Sequence, residues 1–369
     1  MTEKNNNTIL IEGQSGGENL SATLLAWYDS QRRILPWRED PTPYHVWLSE
    51  IMLQQTRVDT VIDYYYRFLE ALPDVASLAN AEEESLLKLW QGLGYYSRVR
   101  NMHKAAKQVM EEYGGRIPGT PEELQRLSGI GEYVAAAISS IAFGVPVPSV
   151  DGNLLRVYAR MTAYRESIRG TAVKKMAKAY YEKILSQSRP GDMNQALMDL
   201  GATICLPNGA PLCEKCPWQN RCQTYKEGLQ DVIPVKEEKK SRRVEKRTVL
   251  RICIGNQLAI RKRPAGGLLG GLYELPSVEG WLTEPEAEEA CRFLGIEPKA
   301  SRELKPAKHI FSHVEWHMKG YEIQGELSDE QLNTEKSTFE KSDLILATRE
   351  EIEKVYSIPT AYRAYFTQV

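Results

Sequence analysis

Four cysteines, Cys205, Cys213, Cys216 and Cys222, share one short segment, while Cys253 and Cys291 stand alone. In a reducing compartment, thiols packed this densely point to a metal or iron–sulfur centre rather than to disulfides. Two carboxylates stand out by their neighbours. Glu50 lies among Trp47, Ile51 and Leu53 on a segment that predicts a helix. An apolar wall there would desolvate the carboxyl, raise its pKa and fit it to deliver a proton as a general acid. The same residue also reads as a salt-bridged glutamate on an amphipathic surface. Asp151, in Ser149-Val-Asp-Gly-Asn153, stands between an apolar segment and a helix expected over Leu154 to Met161. Asp151 and Asn153 would cap that helix, or Asp151 would hold charge beside a reacting centre. Leu127-Ser-Gly-Ile-Gly131 separates two helical runs, Pro121 to Leu127 and Glu132 to Phe143. Gly129 and Gly131 let the backbone turn tightly and expose amides at a helix start, where N–H groups and the helix dipole hold a phosphate. This is the helix-hairpin-helix pattern of DNA-backbone binding, and also that of a plain helix–helix turn.

The elements that must position these groups change type along the chain. A length of 369 residues with 42% hydrophobic content is more than one core usually holds, so two domains are expected. The net charge of −2 gives no strong positive field, so a nucleic-acid partner has to rest on local clusters. No apolar run approaches the ~18 residues of a membrane helix, and the polar opening Met1 to Asn19 has no signal-type hydrophobic region; a cytoplasmic location without membrane contact is expected. From about Asn19 to Leu229 the apolar spacing is helical, as in Val58, Val61, Ile62, Tyr65, Phe68 and Leu69. Residues 236–247, with seven basic and three acidic side chains, read as a linker. Val249 to Ile254 and Leu258 to Arg263 then read as two strands around Gly255-Asn256. The expected class is multi-domain: an all-α domain followed by a smaller α+β domain.

The hairpin followed by Val-Asp-Gly-Asn153 resembles the endonuclease III superfamily of base-excision glycosylases. Leu35-Pro-Trp-Arg38, Trp47-Leu-Ser-Glu-Ile-Met-Leu-Gln-Gln-Thr56, Gly92-Leu-Gly-Tyr-Tyr-Ser-Arg98 and the cysteines narrow the resemblance to the MutY-type adenine DNA glycosylases. It implies excision of adenine opposite 8-oxoguanine, leaving an abasic site. Glu50 would protonate the leaving base, and Asp151 would stabilise the oxocarbenium-like sugar, by charge or by a transient bond. Asn153 would orient Asp151, with Tyr133 in the same pocket. Bifunctional relatives carry a lysine where Tyr133 stands; a tyrosine forms no imine, so strand cleavage should be weak or absent. Gln55 and Tyr95 would enter the base stack as adenine is extruded. Tyr96 reads as a wedge or as a core aromatic. Arg33, Arg38, Arg98 and Arg100 read as phosphate or pocket contacts, or as solvated charges.

The resemblance makes Cys205, Cys213, Cys216 and Cys222 ligands of one [4Fe–4S] cluster, with a structural role and a basic loop, Lys215 to Arg221, offered to DNA. The first gap exceeds the family spacing by one residue, so a bulge is expected at Asn208-Gly209; zinc is the alternative. Residues after about Thr248 resemble the family's Nudix-like domain, through Leu268-Leu-Gly-Gly-Leu-Tyr-Glu-Leu-Pro276 and Phe311-Ser-His313. Arg292 and Phe293 stand where a working Nudix helix needs acids beyond Glu289, so recognition without hydrolysis is expected. Phe311, Ser312 and His313 would reach the oxidised base, Ser312 reading its altered donor pattern. His309, His313 and His317 would suggest a metal on a helix, but the alternation of Val314, Trp316 and Met318 favours a strand that carries them apart.

The expected organisation is a helical catalytic domain over 19–228, a linker over 229–247 and a lesion-recognition domain over 248–369. Within the first, a six-helix barrel would occupy about 36–139, and 19–35 with 140–228 would form the cluster-bearing part. The implied partner is double-stranded DNA carrying A opposite 8-oxoguanine, with A opposite guanine as a further candidate; the protein would act as a monomer. The rival readings are an endonuclease III-type glycosylase with lyase activity, a non-catalytic DNA sensor and a nucleotide hydrolase.

Overall fold

The computed structural model describes residues 19–235, 241–327 and 343–367. The first stretch is built of helices joined by turns: α1 (Leu20–Gln31), α2 (Pro43–Leu53), α3 (Val58–Ala71), α4 (Val75–Asn80), α5 (Glu83–Leu89), α6 (Ser97–Tyr113), α7 (Pro121–Leu124), α8 (Glu132–Phe143), α9 (Gly152–Thr162), α10 (Thr171–Ile184), α11 (Pro190–Asp199) and α12 (Gln223–Lys226). Local chemistry sets their starts. Asn19 accepts the Ser21 amide at 3.0 Å to open α1, and Asp74 and Ser77 form a reciprocal cap on α4. The helix expected from Pro121 to Leu127 ends at Leu124, because the Arg126 amide turns back to the Glu123 carbonyl and tightens the chain before Gly129. None of the described helices is long and apolar enough to cross a membrane.

The described residues pack as two compact units that interleave in sequence. One takes the residues up to Trp47 with Ile117–Arg126 and the stretch from Ile130 to 235; the other takes Leu48–Arg116, Leu127–Gly129 and everything from 241 onward. The domain division expected from the change of pattern near residue 229 therefore follows the type of element, whereas packing groups 48–116 with the strands. The first unit's core joins Leu24 and Tyr28 of α1, Leu154 and Val157 of α9, Tyr181 of α10, Leu197 of α11 and Trp218.

In the second unit the strands are β1 (Arg243–Ile254), β2 (Gln257–Lys262), β3 (Tyr273–Glu274), β4 (Ser277–Glu279), β5 (Ile296–Ile310), β6 (Val314–Leu327) and β7 (Leu344–Thr348), with α13 (Glu284–Phe293), α14 (Arg349–Lys354) and α15 (Arg363–Thr367). They form one mixed sheet in the order β3-β2-β1-β6-β5, with β4 on β1 and β7 on β2. β1 and β6 run parallel, and β5 and β6 form a long antiparallel hairpin. Period-two alternation sends Val249 of β1 with Trp316 and Met318 of β6 into one core with Tyr362 and Tyr365, and Leu250 with Ile252 into another under Ala287 and Cys291 of α13. The fold is thus helical first and α+β second, as the change in periodicity requires.

The linker reading needs one correction. Residues 236–240 and the opening 1–18 lie outside the described residues, but Arg243 to Arg247 is strand, so the α+β part begins before residue 248. These charged residues are held by the register of β1 on β6: Glu245 accepts Trp316 Nε1 at 2.9 Å, and the Arg247 guanidinium lies 4.3 Å from the Trp316 ring centroid.

Gly320 of β6 lies under the Tyr365 ring, and a Cβ there would collide with it. Gly320→Ala is expected to cost about 1–3 kcal/mol through overpacking, read as a lowered midpoint in urea unfolding; an unchanged midpoint would show that the ring shifts freely.

Candidate active site

Glu50 lies in the last turn of α2 and is 6% exposed, on a helix whose Val46, Trp47, Leu48, Ile51 and Met52 are all buried. The surface alternative for Glu50 is thereby removed.

Asp151 is the N-cap of α9. Its Oδ1 accepts the Leu154 amide at 2.8 Å and its Oδ2 accepts Asn153 Nδ2 at 2.8 Å, so the capping reading of Asp151 holds. Desolvation raises its pKa above the ordinary carboxylate value, opposed by these hydrogen bonds and by the charge of Arg156. Asn153 is itself fixed: Arg156 Nη2 donates to Asn153 Oδ1 at 2.9 Å and to the Gly201 carbonyl at 2.8 Å, and Arg156 Nε donates to the Cys205 carbonyl at 2.8 Å. At Gly201 a Cβ would stand 2.9 Å from that of Asn153, so only glycine lets the backbone approach this closely. Upstream, Asn194 on α11 staples the segment that delivers Asp151. Its Oδ1 accepts from the Ser149 amide and hydroxyl at 2.9 and 3.0 Å, and its Nδ2 donates to the Val147 carbonyl at 2.9 Å. Arg156 and Asn194 escaped the sequence reading. Their only signal is a polar residue at a helix position whose turn-neighbours are apolar.

Tyr133 occupies the first turn of α8, half-buried. The two hairpin glycines differ in purpose. Gly129 has φ +77°, in the left-handed region, and a Cβ there would lie 2.6 Å from Asn101 of α6. Gly131 is extended at φ −89° and starts α8 without any side-chain cap. The expectation that both glycines make the turn holds only for Gly129; Gly131 leaves the first amides of α8 uncovered, as an anion site requires.

Arg33 and Arg38 converge on Asp199, which is 1% exposed. Arg38 donates from both terminal nitrogens at 2.8 and 2.9 Å, and Arg33 Nε donates at 2.7 Å. The carboxyl would rise through burial alone, but the two guanidinium groups hold it below the ordinary carboxylate range. With Tyr28, Ser140, Arg189 and Gln195, these arginines line a cleft of about 500 Å³. They form its wall, rigidly paired, rather than freely solvated charges.

In the second unit, Gln55 and Tyr95 both have left-handed backbones, at φ +59° and +48°. Tyr95 is 45% exposed, whereas Tyr96 is buried and belongs to the core. Arg98, expected at a phosphate or in a pocket, is buried and bonded to backbone carbonyls. Arg100 pairs with Glu83 at 2.7 Å. A cleft of about 970 Å³ is lined by Gln55, Tyr95, Gly267, Phe311, Ser312 and His313 among others. Within it, the Tyr95 hydroxyl and Ser312 Oγ lie 2.6 Å apart. Phe311 Ser312 His313 forms the tip of the β5–β6 hairpin, closed by the Phe311 amide on the Val314 carbonyl at 2.8 Å and by packing of Phe311 on Trp316. His309 and His317 fall on different strands, and His313 in the turn between them.

Cys205, Cys213, Cys216 and Cys222 line one small cavity of about 30 Å³ with Trp218, Met161 and Arg160. Arg160 Nη1 reaches Cys205 Sγ at 3.3 Å and the Leu206 carbonyl at 2.9 Å. The expected bulge is present: Gly209 is left-handed at φ +73°, and the Leu212 amide closes the loop on the Ile204 carbonyl at 2.9 Å. Burial pushes the thiols of Cys213 and Cys222 up and that of Cys216 to about 12, with neighbouring sulfurs adding to it. Four thiols gathered on one cavity are a donor set suited to a cationic centre. Among the described residues no three His, Cys, Asp or Glu side chains are already converged for a metal ion, so the sulfurs share a cavity rather than a point. Cys253 and Cys291 are buried in the sheet cores.

Comparison with known proteins finds relatives over most of this chain. Residues 48–185 match the HhH-GPD superfamily of base excision DNA repair proteins, and residues 248–368 match the NUDIX domain. The chain is 37% identical to the adenine DNA glycosylase of Mus musculus over 351 residues, covering 79% of this chain and 68% of the relative. It is 36% identical to that of Homo sapiens over 366 residues, covering 82% and 67%. The solved structure of a thermostable thymine-DNA glycosylase overlays with a TM-score of 0.51 at 28% identity, covering 56% of this chain and 95% of that one.

Asp199→Asn leaves two guanidinium groups facing a neutral amide and is expected to destabilise the protein by about 3 kcal/mol at neutral pH. Because the folded carboxyl titrates below its ordinary value of 3.8, its contribution is fully present above that value and is lost as pH falls through the folded pKa. The gap between wild type and variant in urea melts should therefore narrow at acid pH; a gap independent of pH would contradict the ion-pair assignment.

Proposed function

The chain belongs to the adenine DNA glycosylase family, and from that premise we propose that it removes adenine paired with 8-oxoguanine as a monofunctional glycosylase, leaving an abasic site. It is a DNA glycosylase of base excision repair, with a helix-hairpin-helix part and a Nudix-like part. The observation that carries the proposal is the burial of Glu50, 6% exposed in the last turn of α2. Adenine leaves poorly as an anion, and a buried carboxylic acid can supply the proton that makes it a neutral leaving group. As the glycosidic bond breaks, its electron pair goes to the protonated base, and the sugar becomes cationic. Asp151, oriented by Asn153 and Arg156, then offers negative charge to that cation until water adds at the anomeric carbon.

Other parts of the proposal follow the same chemistry. Tyr133 has no amine, so no imine with the sugar forms and no strand cleavage follows. Gln55 and Tyr95 enter the stack, supported by their strained exposed loops. Phe311, Ser312 and His313 read the base opposite adenine, supported by the cleft that they share with Tyr95. Gly129, Gly131 and the uncapped start of α8 hold the DNA backbone, and Arg33 and Arg38 shape the base pocket. Cys205, Cys213, Cys216 and Cys222 would hold a [4Fe–4S] cluster, supported by donor type and by their common cavity. When bound, such a cluster cross-links the loop through four thiolate bonds. Arg156 holds the Cys205 carbonyl and Asn153 together, so order in that loop is passed to Asp151 by hydrogen bonds of this chain alone. The partner is double-stranded DNA, engaged by a monomer.

In a single-turnover assay on duplex carrying A opposite 8-oxoguanine, Glu50→Gln is expected to lower excision by about 10²–10⁴-fold, and wild-type strands should stay intact until alkali is added. Full activity of Glu50→Gln, or strand breaks without alkali, would sink the proposal. Ionised Asp151 is required, so excision should fall as pH drops through its raised pKa. Arg156→Met removes an opposing positive charge, and the acid limb of the pH–rate profile should move to higher pH; a limb that stays in place would remove Asp151 from this role.

A further inference from the structure

Arg98 is a buried side chain in the first turn of α6. Its Nη1 donates to the carbonyls of Ile51, Met52 and Gln54 at 2.8, 2.9 and 2.7 Å. Its Nη2 reaches the carbonyls of Leu93 and Gly94 at 3.2 and 3.1 Å and Thr56 Oγ1 at 3.3 Å. The acceptors thus come from the end of α2 with the loop that follows it, 51–56, and from the loop 92–95, far apart in sequence. Gln54 and Gly94 directly precede the two left-handed residues, Gln55 and Tyr95.

The chemistry explains why this residue type sits here. The last carbonyls of α2 have no partner within their helix, and a cation is favoured at that negative end. At the start of its own helix α6, a cation is disfavoured, so the position is tolerated because of the α2 carbonyls. The guanidinium plane also lies 5.3 Å from the Trp90 ring centroid and 5.6 Å from that of Tyr95. Desolvation draws its pKa down to about 10, which leaves it charged at neutral pH. A non-glycine residue in the left-handed region is strained and persists only where its surroundings over-determine it. The carbonyls directly before both such residues are held by one side chain. Tyr64 and Trp90 support the second loop from behind, donating to the Gln91 and Gly94 carbonyls at 2.7 and 3.1 Å.

We infer that Arg98 is a positioning residue for base extrusion: it locks the two loops into one preset wedge, so that Gln55 and Tyr95 act on the stacked duplex together. The inference rests on the proposed role of those two residues in the base stack. Unstacking a base is costly, and a wedge already in its working shape spends no binding energy on its own ordering. Lysine cannot replace the guanidinium, because a single ammonium lacks the planar fork that reaches both loops at once.

The test places 2-aminopurine at the target position opposite 8-oxoguanine and follows its fluorescence as it unstacks, alongside single-turnover excision of adenine. Arg98→Lys and Arg98→Met are compared with wild type, and binding to a duplex already abasic opposite 8-oxoguanine serves as the control in which no base is extruded. Loss of the preset wedge should slow unstacking and excision together by about 10- to 100-fold, while affinity for the abasic duplex stays within about threefold. Unstacking at the wild-type rate in Arg98→Lys, or an equal loss on both duplexes in both variants, would overturn the inference. Tyr95→Ala and Gln55→Ala separate it from its premise. If they too unstack at the wild-type rate, the wedge reading itself fails; if they are slow while Arg98→Lys is fast, only the assignment of Arg98 falls.

Discussion

A charged or strongly polar group can be buried only where hydrogen bonds replace the water it loses, and most of the functional geometry here follows from that constraint. Asp151 is buried at a helix start and is held by an amide, by Asn153 and, through Asn153, by Arg156. Arg156 in turn needs acceptors, and it finds them in the carbonyls of Gly201 and Cys205. The same rule pairs Asp199 with Arg33 and Arg38, and it gives Arg98 its carbonyls in two loops. Each of these groups is expensive alone and stable in company. Moving one would strand its partners, so the geometry around each is held stiffly.

The second unit uses the constraint differently. Its sheet is covered on both faces by apolar cores, and Phe311, Ser312 and His313 lie at the tip of the β5–β6 hairpin, where the strand pairing ends. Phe311 keeps one ring on Trp316, which leaves Ser312 and His313 exposed beyond it. Ser312 then shares a hydrogen bond with Tyr95, the exposed residue of a loop that Arg98, Trp90 and Tyr64 hold from beneath. The hairpin tip and the 92–95 loop are thereby brought to the same cleft by the elements that carry them.

Much of this was legible in the residues. Helical spacing, the change to alternation after the charged stretch, and the turn at Gly255-Asn256 follow from the two side-chain periods. Glu50 could be read as buried because Trp47, Ile51 and Leu53 flank it, and Asp151 as a cap because of its place before a helix. The end of α7 and the start of β1 were not legible. The first depends on which carbonyl a tightening turn selects, and the second on a parallel partner, β6, that lies far along the chain. Arg98 was misread because an arginine beside a glycine-rich loop looks the same whether it faces solvent or the ends of two loops.

Sequence alone determined the element types, the residues able to do acid, charge-holding and thiolate chemistry, and the family they resemble, because these depend on residue identity and local spacing. Tertiary structure decided which of those side chains are desolvated, which arginines are already paired, and which two loops share one guanidinium. Desolvation and pairing arise from contacts between segments remote in the chain, and no local pattern encodes the distance between them.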